Sequence, residues 1–410
     1  MVAKKLKYGF LLAFLFALLI TDSVLAAEKN YTVFINGIEA DFYAQENENN
    51  ADNNVSGEAS AQSGGLTSGE NIYVPFALFA EKTGMAVSYN GVSKTAKAVS
   101  GKLSIEAKAN ELVKINGAEA KTGNAAYISK SGKMMVSLAD IGEALKTGYG
   151  DYKIAFTPSE TYSEDYPVPD KEKYQEGVRA GVFEIFTACP VEFNNKMGKI
   201  ASKVYHFRAE APDGFHYAEY DVCIPFFSGL KTSEAADNLN KNFENDYEAV
   251  DKFMRQDAEA QKAAKNEGEI YTSFENRSFR VVGQYNNIVS ILYMGYSYAG
   301  GAHGMPILNG VNINLENPYI LQLKELFKLN SNYETLLIEK INNDIKNNIE
   351  SYQVNEAEKL PAGNSFFIQN GILFIYYDPY DLAAFAYGFP SFEFSLKDLE
   401  KILKDEFKEL

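Results

Sequence analysis

The segment Tyr298-Ala299-Gly300-Gly301-Ala302-His303-Gly304 separates two runs of residues that favour β-strands. Ile288–Met294 precedes it and Val311–Leu315 follows it. Three glycines within five residues indicate positive φ angles or a close approach to a neighbouring element, where a Cβ would clash. We interpret the segment as a candidate recognition loop; the alternative is a tight strand connection whose histidine only caps a carbonyl group. The candidate binding residues are Gly300, Gly301, His303 and Gly304.

Hydrophobic periodicity on either side of this loop predicts an α+β fold. Strand-like segments at 203–209 and 216–227 flank a turn sequence, and pairing about that turn would place His206 opposite Glu219. Apolar residues then recur at intervals of three and four, which predicts a helix from Thr232 or Ser233 to about Asn266. The predicted apolar stripe of this helix consists of Leu239, Phe243, Tyr247, Val250, Phe253 and Met254.

The segments after this helix continue the α+β pattern. A hairpin is predicted over 270–297, and a helix follows a cap at Ser331 or Asn332. A second hairpin turns at Gln369-Asn370-Gly371, and a last strand at 391–394 leads into an amphipathic helix at 396–407. We therefore expect an antiparallel sheet with helices packed on it.

An internal repeat organises the region before residue 152. Val33–Ala40 is echoed by Val113–Ala120, each with an Asn-Gly turn that is typical of a hairpin. Ile72–Glu81 is echoed by Met134–Glu143, each a strand leading into a short helix that we expect to end at Gly84 or Gly148. These echoes predict a duplicated small α/β unit whose halves pack on each other.

The repeated pattern, a strand with Asn-Gly followed by a Val-Pro segment and a helix, resembles the copper amine oxidase N-terminal-like domain of bacterial surface proteins. No histidine precedes His206, so the residues exclude a histidine-based copper site in this region. We assign residues 28–155 to this domain, with 46–70 as a polar insertion that we expect to be disordered. Residues 156–175, which contain three prolines, are the predicted linker to a second domain at 176–410.

The first 27 residues have the pattern of a signal peptide. Lys4, Lys5 and Lys7 precede the apolar run Gly9–Ile20, which is too short for a comfortable membrane span, and small residues follow near Ala26. We expect a secreted, wall-associated protein without a membrane span after cleavage. The net charge of −16 of the full sequence argues against nucleic-acid binding and would attract a cationic partner, although acidity also serves solubility alone.

A second resemblance covers about residues 180–405. The glycine loop, the Leu321–Phe327 segment and the sequence from Asn370 to Gly388, with Tyr377, Pro379 and Tyr380, occur in the order found in paired extracytoplasmic domains of Gram-positive envelope proteins. Those domains form the sensor region of the lysozyme-responsive anti-sigma factor RsiV and precede the catalytic domain of some peptidoglycan deacetylases. The first part would span about 180–265 and the second 266–410. The resemblance implies a non-catalytic module that binds a lysozyme-like protein or peptidoglycan. Tyr377 and Tyr380, which lie in its motif and could stack on sugar rings, are further candidate binding residues.

Catalytic alternatives have less support in the residues. The three histidines His206, His216 and His303 lack ligand spacing, so we predict neither a metal nor another cofactor. Asp378 and Asp381 are the best paired carboxylates, but such residues equally form turns and helix caps. The aromatic residues around them could stack on sugars or fill a core; they are Tyr376, Tyr377, Tyr380, Phe385 and Tyr387. A peptidoglycan hydrolase and a structural spacer remain the alternatives to a binding protein.

The two cysteines leave the redox state open. Cys189 and Cys223 are the only cysteines in the chain. An exported pair can form a disulfide, but two residues do not define a disulfide framework.

Overall fold

The computed structural model describes residues 30–46, 72–158, 181–264, 270–363 and 365–408. The predicted signal peptide, the predicted insertion beyond residue 46 and the predicted linker beyond residue 158 lie outside these ranges. Within them, no helix has the length and apolar character needed to cross a membrane.

The described residues confirm an α+β fold. The strands of the N-terminal part are β1 (Asn30–Ile35), β2 (Ile38–Glu46), β3 (Ile72–Pro75), β4 (Ala86–Asn90), β5 (Thr95–Ser100), β6 (Leu103–Lys108), β7 (Lys114–Ile115), β8 (Ala118–Glu119), β9 (Tyr127–Ile128), β10 (Met134–Ser137) and β11 (Tyr152–Pro158). The remaining strands are β12 (Gly181–Thr187), β13 (Val191–Glu192), β14 (Lys199–Glu210), β15 (His216–Ser228), β16 (Ser273–Gln284), β17 (Ile288–Tyr298), β18 (Met305–Asn314), β19 (Tyr319–Ile320), β20 (Phe366–Gln369), β21 (Ile372–Tyr376) and β22 (Ser391–Ser395). The α-helices are α1 (Phe76–Lys82), α2 (Leu138–Tyr149), α3 (Ser233–Ala264), α4 (Tyr333–Asn347) and α5 (Leu396–Leu399).

The duplicated unit of the N-terminal part is present. The hairpins β1–β2 and β7–β8 both turn at Asn-Gly, with positive φ at both residues as a type I′ turn requires. The strand-to-helix echoes are β3–α1 and β10–α2. The predicted stop at Gly148 is wrong, because α2 continues to Tyr149 and is capped by Gly150. Gly148 instead allows a close approach, since a Cβ there would lie 2.7 Å from Leu103 Cδ2.

The first seven-stranded sheet has the order β11-β12-β1-β2-β3-β10-β9. Strand β12 pairs parallel with β1 and antiparallel with β11. It follows the predicted linker, so residues that the sequence analysis placed in the second domain complete the sheet of the first. Strands β4–β8 form a separate five-stranded sheet that packs on α1 and α2.

The second seven-stranded sheet keeps the chain order from β13 to β19. Helix α3 connects β15 to the parallel strand β16 and packs on β15 through Leu239, Phe243, Val250 and Met254. Phe253 was predicted in this stripe but is 46% exposed, because it lies about 100° around the helix from Met254. The predicted pairing of His206 with Glu219 is also wrong: His206 lies opposite Asp221 and forms an ion pair with it. A register shift at Ala209/Glu210 accounts for one of the two residues of this difference, since the pairing of Glu210 with His216 would by itself place His206 opposite Tyr220.

Strands β20, β21 and β22 form a third sheet that packs between β17–β18 and the α4 region. The predicted C-terminal helix at 396–407 is only partly formed. Helix α5 ends at Leu399, and a 3₁₀ turn follows at Asp405–Phe407. Backbone groups between these turns bond instead to another segment, with Lys404 N donating to Leu326 O and Lys328 N donating to Ile402 O.

A turn of the first sheet is buried against the second sheet. Asn36 accepts hydrogen bonds from Thr187 N at 2.8 Å and Ser202 Oγ at 2.8 Å. Gly37 O accepts from Val281 N on β16 at 2.8 Å. Beside this turn, the buried Arg280 Nε lies 2.7 Å from Glu184 Oε1. One hydrophobic core accordingly extends from Tyr31 in the first sheet to Leu315, which directly follows β18 of the second. Both cysteines are buried in it as free thiols.

Candidate functional site

The glycine loop connects β17 to β18 and lies against aromatic rings. Gly300 and Gly301 have φ angles of +86° and +97°, which favour glycine. A Cβ on Gly300 would lie 2.8 Å from the ring of Tyr271, and a Cβ on Gly304 would overlap Ser297 O. Gly300 thus combines positive φ with a close approach, whereas Gly301 shows only the first feature and Gly304 only the second.

His303 connects this loop to the loop that follows β21. Its Nδ1 lies 2.8 Å from Gly304 O and its Nε2 lies 3.0 Å from the Tyr380 hydroxyl. Because a carbonyl oxygen only accepts, Nδ1 carries the proton, and Nε2 of the neutral ring accepts the hydroxyl proton of Tyr380. The imidazole also stacks on Phe385 with ring centroids 4.1 Å apart. His303 therefore fixes the position of Tyr380.

Tyr380 combines exposure with an unfavourable backbone conformation. Its φ is +76°, which is uncommon for a residue other than glycine, and its side chain is 53% exposed. It lies in a turn closed by a hydrogen bond from Asp381 N to Asp378 O. Backbone conformations of this kind concentrate at ligand sites, where the surrounding structure maintains them. We call His303, Tyr380 and Phe385, together with the Gly300–Gly304 loop, the aromatic–histidine site.

Tyr377 does not lie at this site. It is only 5% exposed, and its hydroxyl donates to Lys359 O at 2.8 Å. Burial raises its pKa to about 12. The third sheet is covered on both faces, so Leu373–Tyr377 of β21 and its extension are all buried. Of the candidate binding residues, the structure brings together Gly300, Gly301, His303, Gly304 and Tyr380.

Further aromatic residues beside the glycine loop were not singled out from the sequence. Tyr296 and Tyr298 on β17 lie on one face of the strand with Phe274 of β16, whose ring stacks on that of Tyr296 at 5.8 Å. Gly304 N donates to the Tyr296 hydroxyl at 2.9 Å, and the Tyr298 hydroxyl donates to Gly301 O at 3.0 Å. All are half-buried. The alternation of Tyr296 and Tyr298 just before the glycines was the signal that could have identified them.

The two loops that form the site contain acidic side chains but, His303 aside, no basic ones. Residues 294–308 and 376–390 include no lysine or arginine, whereas the Tyr380 turn carries Asp378 and Asp381. Partial burial, and then the charge of Asp381, raise the pKa of Asp378. Aromatic faces and carboxylates in one place favour a neutral or cationic ligand over an anionic one.

The other histidines lie on β14 and β15. His206 is paired with Asp221, and His216 Nδ1 lies 3.2 Å from Glu219 Oε2. In the part of the chain that the structure describes, no group of three or more His, Cys, Asp or Glu side chains could hold a metal ion.

Three family models match successive segments of the chain. They are the copper amine oxidase N-terminal domain at residues 55–149, the deacetylase PdaC model at 215–306, and the protein of unknown function DUF3298 model at 324–397. These three matches confirm the family resemblances that the sequence suggested. The aromatic–histidine site is formed where the last two segments meet, because the glycine loop belongs to the first of them and Tyr380 and Phe385 to the second.

Among characterised proteins, the chain is similar to the peptidoglycan-N-acetylmuramic acid deacetylase PdaC of Bacillus subtilis (strain 168). The two are 26% identical over 197 residues, which is 46% of this chain and 39% of that protein. The match thus spans about two fifths of the relative's length.

Part of the chain is also similar to two solved structures of DUF3298 family proteins. One, from Bacteroides fragilis, has a TM-score of 0.44 at 16% identity and covers 52% of this chain and 96% of its own. The other, from Pseudomonas aeruginosa PAO1, has a TM-score of 0.36 at 15% identity. Its match covers 51% of this chain and 95% of the other protein.

Proposed function

We propose that this chain is an exported, non-catalytic protein of the cell envelope that binds peptidoglycan through the aromatic–histidine site. The observation that carries this proposal is the exposed Tyr380, held by His303 beside Phe385 at the meeting of two loops. Aromatic rings with a polar edge suit sugar rings, because they offer an apolar face and a hydrogen-bonding group together. The similarity to a protein named for its action on peptidoglycan supports the same ligand class.

The experiment is co-sedimentation of the purified protein, from residue 28 onward, with insoluble peptidoglycan. We expect the protein in the pellet without release of soluble fragments. Tyr380→Gly is the test variant, because φ of +76° suits glycine and the fold should not suffer. Tyr89→Ala is the matched control, since Tyr89 is 59% exposed on β4, far from the loops. Loss of binding in the first variant alone supports the proposal.

Other outcomes separate the alternatives. Released fragments would indicate a peptidoglycan hydrolase. Absence of the protein from the pellet would leave a protein-binding module or a structural spacer. Equal retention of both variants would place binding outside the aromatic–histidine site and overturn that assignment.

A lysozyme-like protein is the second candidate ligand, favoured by the net charge of −16. Calorimetric titration with a c-type lysozyme at low salt and at about 0.3 M salt tests it, because added salt screens interactions between exposed charges. Saturable binding that persists in salt and is absent with a basic protein of unrelated fold would support this partner. Binding equal to that control would exclude specific recognition.

A further inference from the structure

The side-chain donors of the aromatic–histidine site are already engaged within it, whereas the Tyr380 oxygen can still accept a hydrogen bond. His303 Nδ1 donates to Gly304 O, and its Nε2 takes the hydroxyl proton of Tyr380. The Tyr380 oxygen therefore presents its lone pairs to solvent, while its only proton is engaged. Since Tyr380 is 53% exposed, this acceptor is available to a ligand.

The aromatic rings of the site also favour a positively charged ligand. His303 stacks on Phe385, and the Tyr380 and Phe385 ring centroids are 5.7 Å apart. The faces of tyrosine and phenylalanine attract a cation placed within about 6 Å of the ring centroid. An exposed tyrosine beside a second ring therefore suits an ammonium group.

The charges of the two loops point in the same direction. Neither 294–308 nor 376–390 contains a lysine or arginine, so their sequences supply no basic side chain to repel a cation. Asp378 and Asp381 repel each other across the Tyr380 turn, and a bound cation would relieve that repulsion. An ammonium group, with three donors and no acceptor, complements all three features.

We propose that the site prefers glycan strands that carry free amino groups, that is, sugars whose N-acetyl group has been removed. This inference rests on the proposed peptidoglycan binding. An acetamido group is neutral and presents a carbonyl oxygen, for which the side chains of His303, Tyr380 and Phe385 supply no free donor. The reaction class that generates the preferred ligand is hydrolytic N-deacetylation, in which water cleaves the amide to an amine and acetate.

The test uses glucosamine oligomers and N-acetylglucosamine oligomers of equal length as probes, titrated into the mature protein at about 0.15 M salt. We expect the amino form to bind at least about five-fold more tightly, the effect of roughly one cation–π contact. Tyr380→Gly should abolish this preference, and Tyr380→Phe should reduce it, because it keeps the ring but removes the hydroxyl acceptor together with its hydrogen bond to His303. Tyr89→Ala should leave it unchanged.

A lysine hexamer controls for non-specific attraction to an acidic protein. Equal affinity for the two sugar forms would overturn the inference while leaving peptidoglycan binding intact. A preference that survives Tyr380→Gly, or that the lysine hexamer matches, would also overturn it. If native peptidoglycan and both oligomers fail to bind, the proposed function fails as well.

Discussion

The two Asn-Gly turns of the duplicated unit provide a matched test of how the N-terminal sheet is joined to the second sheet. Gly37 and Gly117 occupy equivalent positions and have φ angles of +76° and +88°. A Cβ on Gly117 would meet nothing within 4 Å. A Cβ on Gly37 would lie 2.9 Å from Phe279 O and 3.1 Å from Arg280 Cα, both backbone atoms of β16.

This difference in surroundings sets how much free energy of unfolding each glycine-to-alanine variant should lose. Alanine at positive φ costs about 1–2 kcal/mol, and both variants share that cost. Gly37→Ala also forces β16 away from the turn. Overpacking of a close-packed interior typically costs about 1–3 kcal/mol, and this cost adds to that of the positive φ. We therefore expect Gly37→Ala to lower the free energy of unfolding by about 2–5 kcal/mol and Gly117→Ala by about 1–2 kcal/mol.

Urea unfolding followed by far-ultraviolet circular dichroism measures both values, which suits a protein without tryptophan. The unfolding of each variant should be compared with that of the unmodified protein under identical conditions. Equal losses for the two variants would refute the reasoning, because they would mean that the Gly37 turn does not support the second sheet.

Three further predictions concern the core and the contact between the first and second sheets. We call this contact the buried joint; it consists of β12, the Asn36-Gly37 turn and the pair of Glu184 with Arg280. Glu184→Gln should lower the free energy of unfolding by about 3 kcal/mol in the same urea assay, since it removes a carboxylate from the buried Arg280; no loss would contradict a structural role for the pair. Both cysteines should resist a thiol reagent until the protein unfolds, because they are buried and burial raises the pKa of Cys223 to about 12; rapid labelling of the native protein would contradict this. Cleavage at a protease site introduced within residues 159–180 should leave two fragments that co-elute in gel filtration, because β12 pairs with β1 and β11 across the cut; separate elution would show that the joint does not hold.

Local patterns predicted the elements of this protein well. The Asn-Gly turns, the strand-to-helix echoes and the long helix α3 all depend on residues near one another in sequence, where turn chemistry and apolar spacing act directly. The glycine loop was also recognisable from the sequence. Several glycines close together indicate positive φ or a close approach, whichever element lies beside them.

Long-range pairing was not predictable in the same way. Strand β12 reads as an apolar run, and nothing in Gly181–Thr187 indicates that it pairs parallel with β1, some 150 residues earlier. The ion pair of Arg280 with Glu184 depends on that pairing, because it lies where the two sheets meet. The site shows the same limit: the sequence placed Tyr377 and Tyr380 together, but the layers covering the third sheet bury the first and leave the second exposed.

The duplicated turns show how one sequence motif acquires two roles. Asn36 and Asn116 adopt nearly the same φ, +49° and +50°, so the local requirement is shared. Asn116 remains exposed and accepts a hydrogen bond from Ser104 N within its own sheet, whereas Asn36 is fully buried and bonds to residues of β12 and β14. The two turns therefore differ in what the rest of the chain packs against them. The Asn36 turn is part of the buried joint, and the Asn116 turn is not. Because that joint consists of strand pairing, a buried turn and an ion pair, we infer that the N-terminal part is integrated with the second sheet and does not act as a freely jointed stalk.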